Sequence, residues 1–245
     1  MRLLDTTGGN PKLGKTTRAG FDHGFGEIEG AAVSRARVAG LSLHPDTVLC
    51  AGSKAAGCMP ECLRNQGRGN FDSVTDARQA RADWFYSDPV AFLTQLKGEL
   101  ENFRDLCRRD SVMAFARLNV LSDVEWEKYG VPQAFPEILF YDYTKLAARL
   151  CKTTDNYRLI FSYSGRPQYA RQVARAWSTG LPVAVVFRGG LPAQFRGRRV
   201  IDGDRSDILN YRAAGKIVGL RAKGTAARDR SGFVIDNPEV LAVAS

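Results

Sequence analysis

The apolar positions of this chain fall into two regimes. From Asp72 to Tyr86, the residues Val74, Ala77, Ala80 and Trp84 recur at helical spacing. Pro89 then opens a second helix, over 89–108, with Phe92, Leu96, Leu100 and Phe103 as its stripe. Proline suits a first helical turn, where its missing N–H would have no partner anyway. Beyond residue 110 the period changes. Short, nearly continuous apolar runs occur at 113–120, 138–141, 157–162, 182–187 and 217–220, with helical patterns at 143–151 and 169–178 between them. Such runs belong to parallel strands covered on both faces. Leu41–His44 alternates as a short first strand, which brings the count to about six. The pattern predicts an α/β fold, a partial or complete (β/α) barrel with parallel strands. No Gly-x-Gly-x-x-Gly follows the first strand and no P-loop occurs, which disfavours a dinucleotide-binding fold.

Residues 1–40 are rich in Gly, Lys, Arg and Thr and show no period. They read as an irregular basic arm ahead of a single barrel-like domain over 41–245. No apolar run approaches the roughly 20 residues that span a bilayer, and Met1–Asn10 has no signal core. An intracellular, reducing setting is expected, where the five cysteines act as thiols or ligands rather than disulfides.

Charge changes the picture. The 245-residue chain carries a net +9, and the stretch Arg188–Arg230 holds eleven Lys/Arg against four Asp. Clustered cations bind phosphates and release counterions. Arg188, Arg196, Arg198, Arg199, Arg205 and Lys223 are therefore candidate contacts to nucleic acid or a nucleotide. A basic protein without such a partner is the plain alternative.

In parallel α/β folds the site gathers where the strands end at their carboxyl termini. That rule selects Ser122 and Asp123 after 113–120, Tyr141, Asp142 and Lys145 around the end of 138–141, and Ser162, Ser164 and Arg166 after 157–161. Asp123, Tyr141, Asp142 and Lys145 are the catalytic candidates; Ser122, Ser162, Ser164 and Arg166 are candidates for binding a cofactor. Asp123 could instead cap a helix, and Asp142 and Lys145 could pair structurally. Asp202-Gly-Asp204 with Asp207 reads as a polar turn more readily than as an oxygen-ligand cation loop.

The loop after the first strand contains Cys50, Cys58 and Cys62, three thiols within thirteen residues broken by Gly and Pro. Two chemistries compete. Zinc would need a fourth ligand, from His44, Cys107, Cys151 or outside the chain. An iron–sulfur cluster on three cysteines leaves one iron open for a small molecule, the arrangement that S-adenosylmethionine radical chemistry requires. Three unligated thiols are the bland reading.

Gly9-Asn10-x-Lys12, the Cys50/Cys58/Cys62 run, Arg117-Leu118-Asn119, Ser122-Asp123, Phe140-Tyr-Asp-Tyr-Thr-Lys145, Ala184-Val-Val-Phe187, Val200-Ile-Asp-Gly-Asp204 and Gly219-Leu220-x-Ala-Lys-Gly224 together resemble the phage "gene product eighty-eight" family. The resemblance implies a phage origin, hence the cytoplasm of an infected host cell, and names no reaction. Cys50–Cys62, Ser122-Asp123 and Thr144-Lys145 also resemble, in the same order, the phage "gene product thirty-seven/sixty-eight" proteins, which look like radical S-adenosylmethionine enzymes. Three residues separate Cys58 from Cys62 where that family usually has two. The phage DNA-guanine transglycosylases, which are similar to tRNA-guanine transglycosylases, offer another template, with an aspartate nucleophile and structural zinc; there the zinc ligands follow the nucleophile, whereas here the cysteines come first. The expectation is a metal-centre enzyme acting on nucleic acid or a nucleotide, DNA base modification included. The alternatives are a transglycosylase and a non-enzymatic, metal-stapled nucleic-acid-binding or host-interaction protein.

Overall fold

The computed structural model describes residues 1–6, 27–28, 31–32, 35–60, 62, 71–208 and 213–237. Its strands are β1 (Leu4–Asp5), β2 (Glu27–Ile28), β3 (Ala31–Ala32), β4 (Ala36–Leu41), β5 (Met113–Arg117), β6 (Ile138–Thr144), β7 (Tyr157–Ser162), β8 (Val183–Arg188), β9 (Gln194–Phe195), β10 (Arg198–Asp202), β11 (Ile217–Arg221) and β12 (Ile235–Asp236). Its α-helices are α1 (Ser53–Ala56), α2 (Asp72–Ser87), α3 (Pro89–Arg109), α4 (Val131–Ala134) and α5 (Ala170–Ser178).

One sheet dominates, in the order β1-β4-β5-β6-β7-β8-β11-β10-β9. From β4 to β10 every neighbouring pair is parallel. The short edge strands β1 and β9 are antiparallel, and they lie at opposite ends without pairing. The sheet is thus open, and a complete barrel is not formed. β7 pairs with β8 only at Val183 and Ala184. Further along, β12 takes its place beside Phe187 and Arg188.

Side-chain alternation gives the sheet two different faces. Ala39, Leu41, Ala114, Ala116, Phe140, Leu159, Phe161, Val185 and Phe187 pack with the helices in the main core. The α3 stripe Phe92, Leu96, Leu100 and Phe103 lies there, buried as its spacing predicts. The Asp88 carboxylate accepts from the Ala91 N–H (3.0 Å) and caps that helix, while Arg108 and Arg109 sit in its last turn, favourable to the helix dipole. On the opposite face Val38, Phe115 and Tyr141 pack with Ile208, and Ile160, Ala184 and Val218 with Ala213.

Several boundaries differ from the sequence reading. The first strand is Ala36–Leu41 rather than 41–44. Its interior Gly40 and the half-buried Arg37, paired with Asp110 (2.7 Å), mask the apolar pattern. The sheet thereby draws Leu4–Asp5 and Ala36–Gly40 from the stretch read as an irregular arm, while residues 7–26 lie outside those described. In α2 the buried residues are Ala82 and Phe85, not the Val74–Ala77–Ala80 line. The helix expected over 143–151 is a single 3-10 turn, Ala147–Arg149, because β6 continues to Thr144. Asp123 holds that extension by accepting from the Lys145 N–H (2.7 Å) and the Thr144 hydroxyl (3.1 Å).

Candidate functional site

The seven strands from β4 to β10 in the sheet order deliver their carboxyl ends to one cavity of about 260 Å³. The loop after β4 contributes Cys50, Ser53, Cys58, Met59 and Cys62. β5 and its loop bring Arg117 and Asn119 to Asp123, β6 brings Tyr143 and Lys145, and β7 brings Ser162. Val186, Asp204, Leu220, Arg221, Lys223 and Phe233 close the far side. Arg117, Tyr143, Ser162, Val186 and Leu220 share the face away from the helices, as their register with Phe115, Tyr141, Ile160, Ala184 and Val218 requires.

The cysteine loop is built tightly. Asp46 Oδ1 accepts from the N–H groups of Val48 and Leu49 (both 2.7 Å). The Asp123 N–H donates to Leu49 O (2.7 Å), and the Cys50 thiol donates to Leu121 O (3.4 Å), so loop and β5 end are stitched together. Ser164 Oγ donates to Ala56 O (2.8 Å), and Arg166 Nη1 reaches Lys54 O (3.5 Å). Neither Ser164 nor Arg166 lines the cavity. Both were candidates for binding a cofactor; they fasten the thiol-bearing loop instead. Ser122 and Ser162 do line it.

Lys145 is buried. Its Nζ donates to Ser162 Oγ (2.6 Å) and lies 4.5 Å from the centroid of the Phe233 ring. Burial lowers its pKa, and Cys58, Asp123, Cys50 and Cys62 oppose that shift. The Cys50 thiol is pushed upward, first by burial and then by Asp123, Cys62 and Cys58. The three sulfurs and the ammonium therefore feel one another. A thiolate formed here would gain from Lys145, and a cation among the sulfurs would release the mutual penalty.

Beneath the cavity lies a buried polar network. Arg149, 1% exposed, binds Asp123 Oδ1 and takes both oxygens of Glu127 (2.9 and 2.8 Å). Its Nη2 also reaches Tyr157 Oη (3.2 Å), and Tyr157 in turn donates to Asp142 (2.8 Å). Asp142 accepts as well from the N–H and side chain of Asn119 (2.7 and 3.1 Å). Burial raises the Asp123 carboxyl to about 6 and the Asp142 carboxyl to about 7, against the pull of Arg149 and Arg117 respectively. Of the expected catalytic residues, Asp123 and Lys145 reach the cavity. Asp142 and Tyr141 do not line it: Asp142 is committed to the network, and Tyr141 donates to Asp207 (3.3 Å) within the second core. Asp123 caps no helix, and Asp142 does not pair with Lys145.

The basic residues do not form one face. Arg198 donates to Trp177 O (2.7 Å) and Leu181 O (3.1 Å), covering carbonyls at the end of α5. Arg188 binds Asp236 (2.6 Å). Lys223 binds Asp204 (2.7 Å) at the cavity rim, beside Arg221 on Asp202 and Asp204. Arg196, Arg199 and Arg205 are exposed. The Asp202–Asp204 turn is thus an ion-pair cluster.

Sequence reasoning missed Arg117 and Phe233 as cavity walls; it counted Tyr143 among the strand-end residues and read Asp204 chiefly as part of a polar turn, and both line the cavity. Arg117 is accessible by parity, two residues beyond Phe115 on the same strand face. Asp204 and Phe233 arrive from β10 and the segment before β12, which carry too little apolar pattern to be read as part of the sheet.

Among the described residues, no three Cys, His, Asp or Glu side chains converge as a single metal ion requires. His44 is outside the cavity wall, and His23 lies outside the described residues.

No curated protein and no solved structure matches the chain. A family model described as Gene product 88 matches residues 3–237. This match covers nearly the whole chain and agrees with the resemblance carried by the cysteine run and the Phe140–Lys145 segment, and so the protein belongs to the Gene product 88 family.

Proposed function

We propose that this protein is a phage enzyme acting on nucleic acid or a nucleotide in the cytoplasm of the infected host, with an iron–sulfur cluster on Cys50, Cys58 and Cys62. The observation that carries the reading is the lining of one cavity by all three thiols, at the carboxyl ends of seven parallel strands. The adjacency of β4, β5, β6, β7, β8 and β11 in chain order supports the finer description of the sheet as a partial barrel. Cys50, Cys58 and Cys62 would hold such a cluster through three thiolates, and once charged by an external one-electron donor it would supply one-electron reduction of a small molecule such as S-adenosylmethionine.

The chain's own residues have definable parts in this. Lys145 offsets thiolate charge. Asp123, held by Arg149, fixes the strand end that carries Lys145. Val186, Leu220, Ala226 and Phe233 form an apolar wall suited to the flat face of a base, and Arg221 and Lys223 stand at its edge, held there by Asp202 and Asp204, so a phosphate would have to compete with those carboxylates. The cavity is smaller than the roughly 300–1,000 Å³ of common ligand sites. It fits one nucleotide unit rather than a duplex, so a polymer would present an extruded nucleotide.

The transglycosylase alternative needs a carboxylate free to attack. Asp123 already accepts from Arg149, Thr144 and Lys145, Asp204 is paired with Lys223, and Asp142 is away from the cavity. None of this favours that reading.

Anaerobic purification and reconstitution test the proposal. Iron and acid-labile sulfide should be retained with a charge-transfer absorption band, and Cys50→Ser/Cys58→Ser/Cys62→Ser should lose all three signals. A colourless protein without iron or sulfide after reconstitution sinks the proposal; stoichiometric zinc would point to the metal-stapled alternative.

A further inference from the structure

Among the described residues three serines line the cavity: Ser53, Ser122 and Ser162. Two of their hydroxyls are engaged. Ser122 Oγ donates to Asn119 Oδ1 (2.8 Å), and Ser162 Oγ accepts from Lys145 Nζ (2.6 Å). Ser53 differs. It is 2% exposed, and among the described residues its Oγ has no hydrogen-bond partner. Burying a hydroxyl without a partner is destabilising, so such a group in a folded chain needs a reason.

The main chain of Ser53 ties together the loop that carries the thiols. Its N–H donates to Cys50 O (2.9 Å). Its carbonyl accepts from the N–H groups of Gly57 (2.9 Å) and Cys58 (3.3 Å), and from the Cys58 thiol (3.9 Å). Ser53 therefore stands between two of the cysteines and is bonded to both. Gly52, just before it, packs on the Lys145 Cβ, so the loop has no freedom to carry the Ser53 side chain to another partner.

The thiols themselves supply the second observation. The Cys50 thiol donates to Leu121 O (3.4 Å) and the Cys58 thiol to Ser53 O (3.9 Å). Both contacts use the proton on sulfur. A cysteine that ligates a metal gives that proton up and becomes an acceptor. Cys50 and Cys58 would then face carbonyl oxygens, which cannot donate. Sulfur in that state needs a donor from the same loop, and Ser53 Oγ is the cavity serine that has no other bond.

We propose that the Ser53 hydroxyl is a hydrogen-bond donor to a sulfur of the iron–sulfur cluster on Cys50, Cys58 and Cys62, and so tunes its reduction potential. Hydrogen bonds to cluster sulfurs favour the more negative, reduced state and raise the potential. The partner is sulfur rather than a substrate oxygen because Ser53 is bonded on either side to Cys50 and Cys58. The proposal rests on the cluster part of the preceding reading and is independent of the nucleic-acid part.

Two measurements test it, one without the cluster and one with it. In the cluster-free chain, Ser53→Ala should leave the unfolding temperature equal or higher, because no hydrogen bond is lost. Ser122→Ala, which loses its bond to Asn119, should lower it. After anaerobic reconstitution, a redox titration followed by electron paramagnetic resonance should show the Ser53→Ala cluster harder to reduce, by about tenfold in the reduction equilibrium, or about 59 mV for one electron. Ser53→Thr, which keeps the hydroxyl, should restore the wild-type potential. A fall in cluster-free unfolding temperature equal to that of Ser122→Ala would show the hydroxyl already bonded and overturn the proposal. A loaded Ser53→Ala chain at the wild-type potential would overturn it as well, and would leave the cluster reading standing. A wild-type chain that assembles no cluster would overturn both.

Discussion

Gly52 lies directly against Lys145. A Cβ placed on Gly52 would overlap the Lys145 Cβ, with the Lys145 backbone oxygen also in tight contact. The cysteine loop therefore passes over the end of β6 with no room for a side chain, which brings the thiols and the ammonium to one cavity. Gly52 has φ −82°, so the demand is for space rather than an unusual backbone. Gly52→Ala should force the loop away from β6 and cost about 1–3 kcal/mol. Thermal unfolding should show a fall of several degrees, and cluster retention should fall with it. An unchanged unfolding temperature would mean that the loop does not pack as described.

The buried carboxyls give stability a definite pH dependence. Asp123 and Asp142 have folded-state pKa values of about 6 and about 7, above the ordinary 3.8. A carboxyl raised on folding binds its proton more tightly in the native state. Its contribution is greatest below pH 3.8 and is lost as pH rises through the folded value. These two groups should therefore make the protein less stable between about pH 4 and 7, opposite in sign to a salt-bridged carboxylate. Denaturant titrations across this window should show that slope, and Asp142→Asn should flatten its upper part. A steeper slope in that variant would contradict the assignment.

Arg149 answers two carboxylates at once, Asp123 and Glu127, from a position 1% exposed. Removing it leaves both without their cation beneath the cavity floor. Arg149→Met should destabilise by about 3–5 kcal/mol in urea unfolding. The loss should be smaller at pH 5 than at pH 8, because Asp123 can then carry a proton. A loss that is equal at the two pH values would show that Asp123 is not the affected partner.

Arg198 was expected from the sequence to touch nucleic acid; the structure gives it carbonyls and a ring. Arg198→Gln should lower stability by about 1–2 kcal/mol through the lost charged hydrogen bonds. It should leave the salt slope of oligonucleotide binding close to wild type. A large change in slope with unchanged stability would return Arg198 to the candidate nucleic-acid contacts.

Much of the architecture was legible because parallel strands covered on both faces need continuous apolar runs. Phe115, Phe140, Ile160 and Val185 could be assigned from local pattern, and the α3 stripe from its period. Strands β10 and β12 were not, since β10 is covered by β9 only at Arg198 and Arg199 and β12 pairs over two residues, and such short pairing relaxes that requirement. The first strand was displaced because Arg37 finds a carboxylate, Asp110, far along the chain.

The sequence by itself determined the α/β class, the strand-end clustering of polar residues, the three thiols in one loop and the family. Those features depend on local period and local spacing, which the chain carries wherever it folds. Only the tertiary structure decided that Asp142 and Tyr141 stay out of the cavity, that Ser164 and Arg166 fasten the thiol loop, and that Arg188 and Arg198 are spent on internal bonds while Arg196, Arg199 and Arg205 stay exposed. Side-chain roles of that kind are set by partners dozens of residues away. A strand end can turn a carboxylate toward a cavity or toward a buried amide, and the packing of β5 on β6 makes that choice for Asp142.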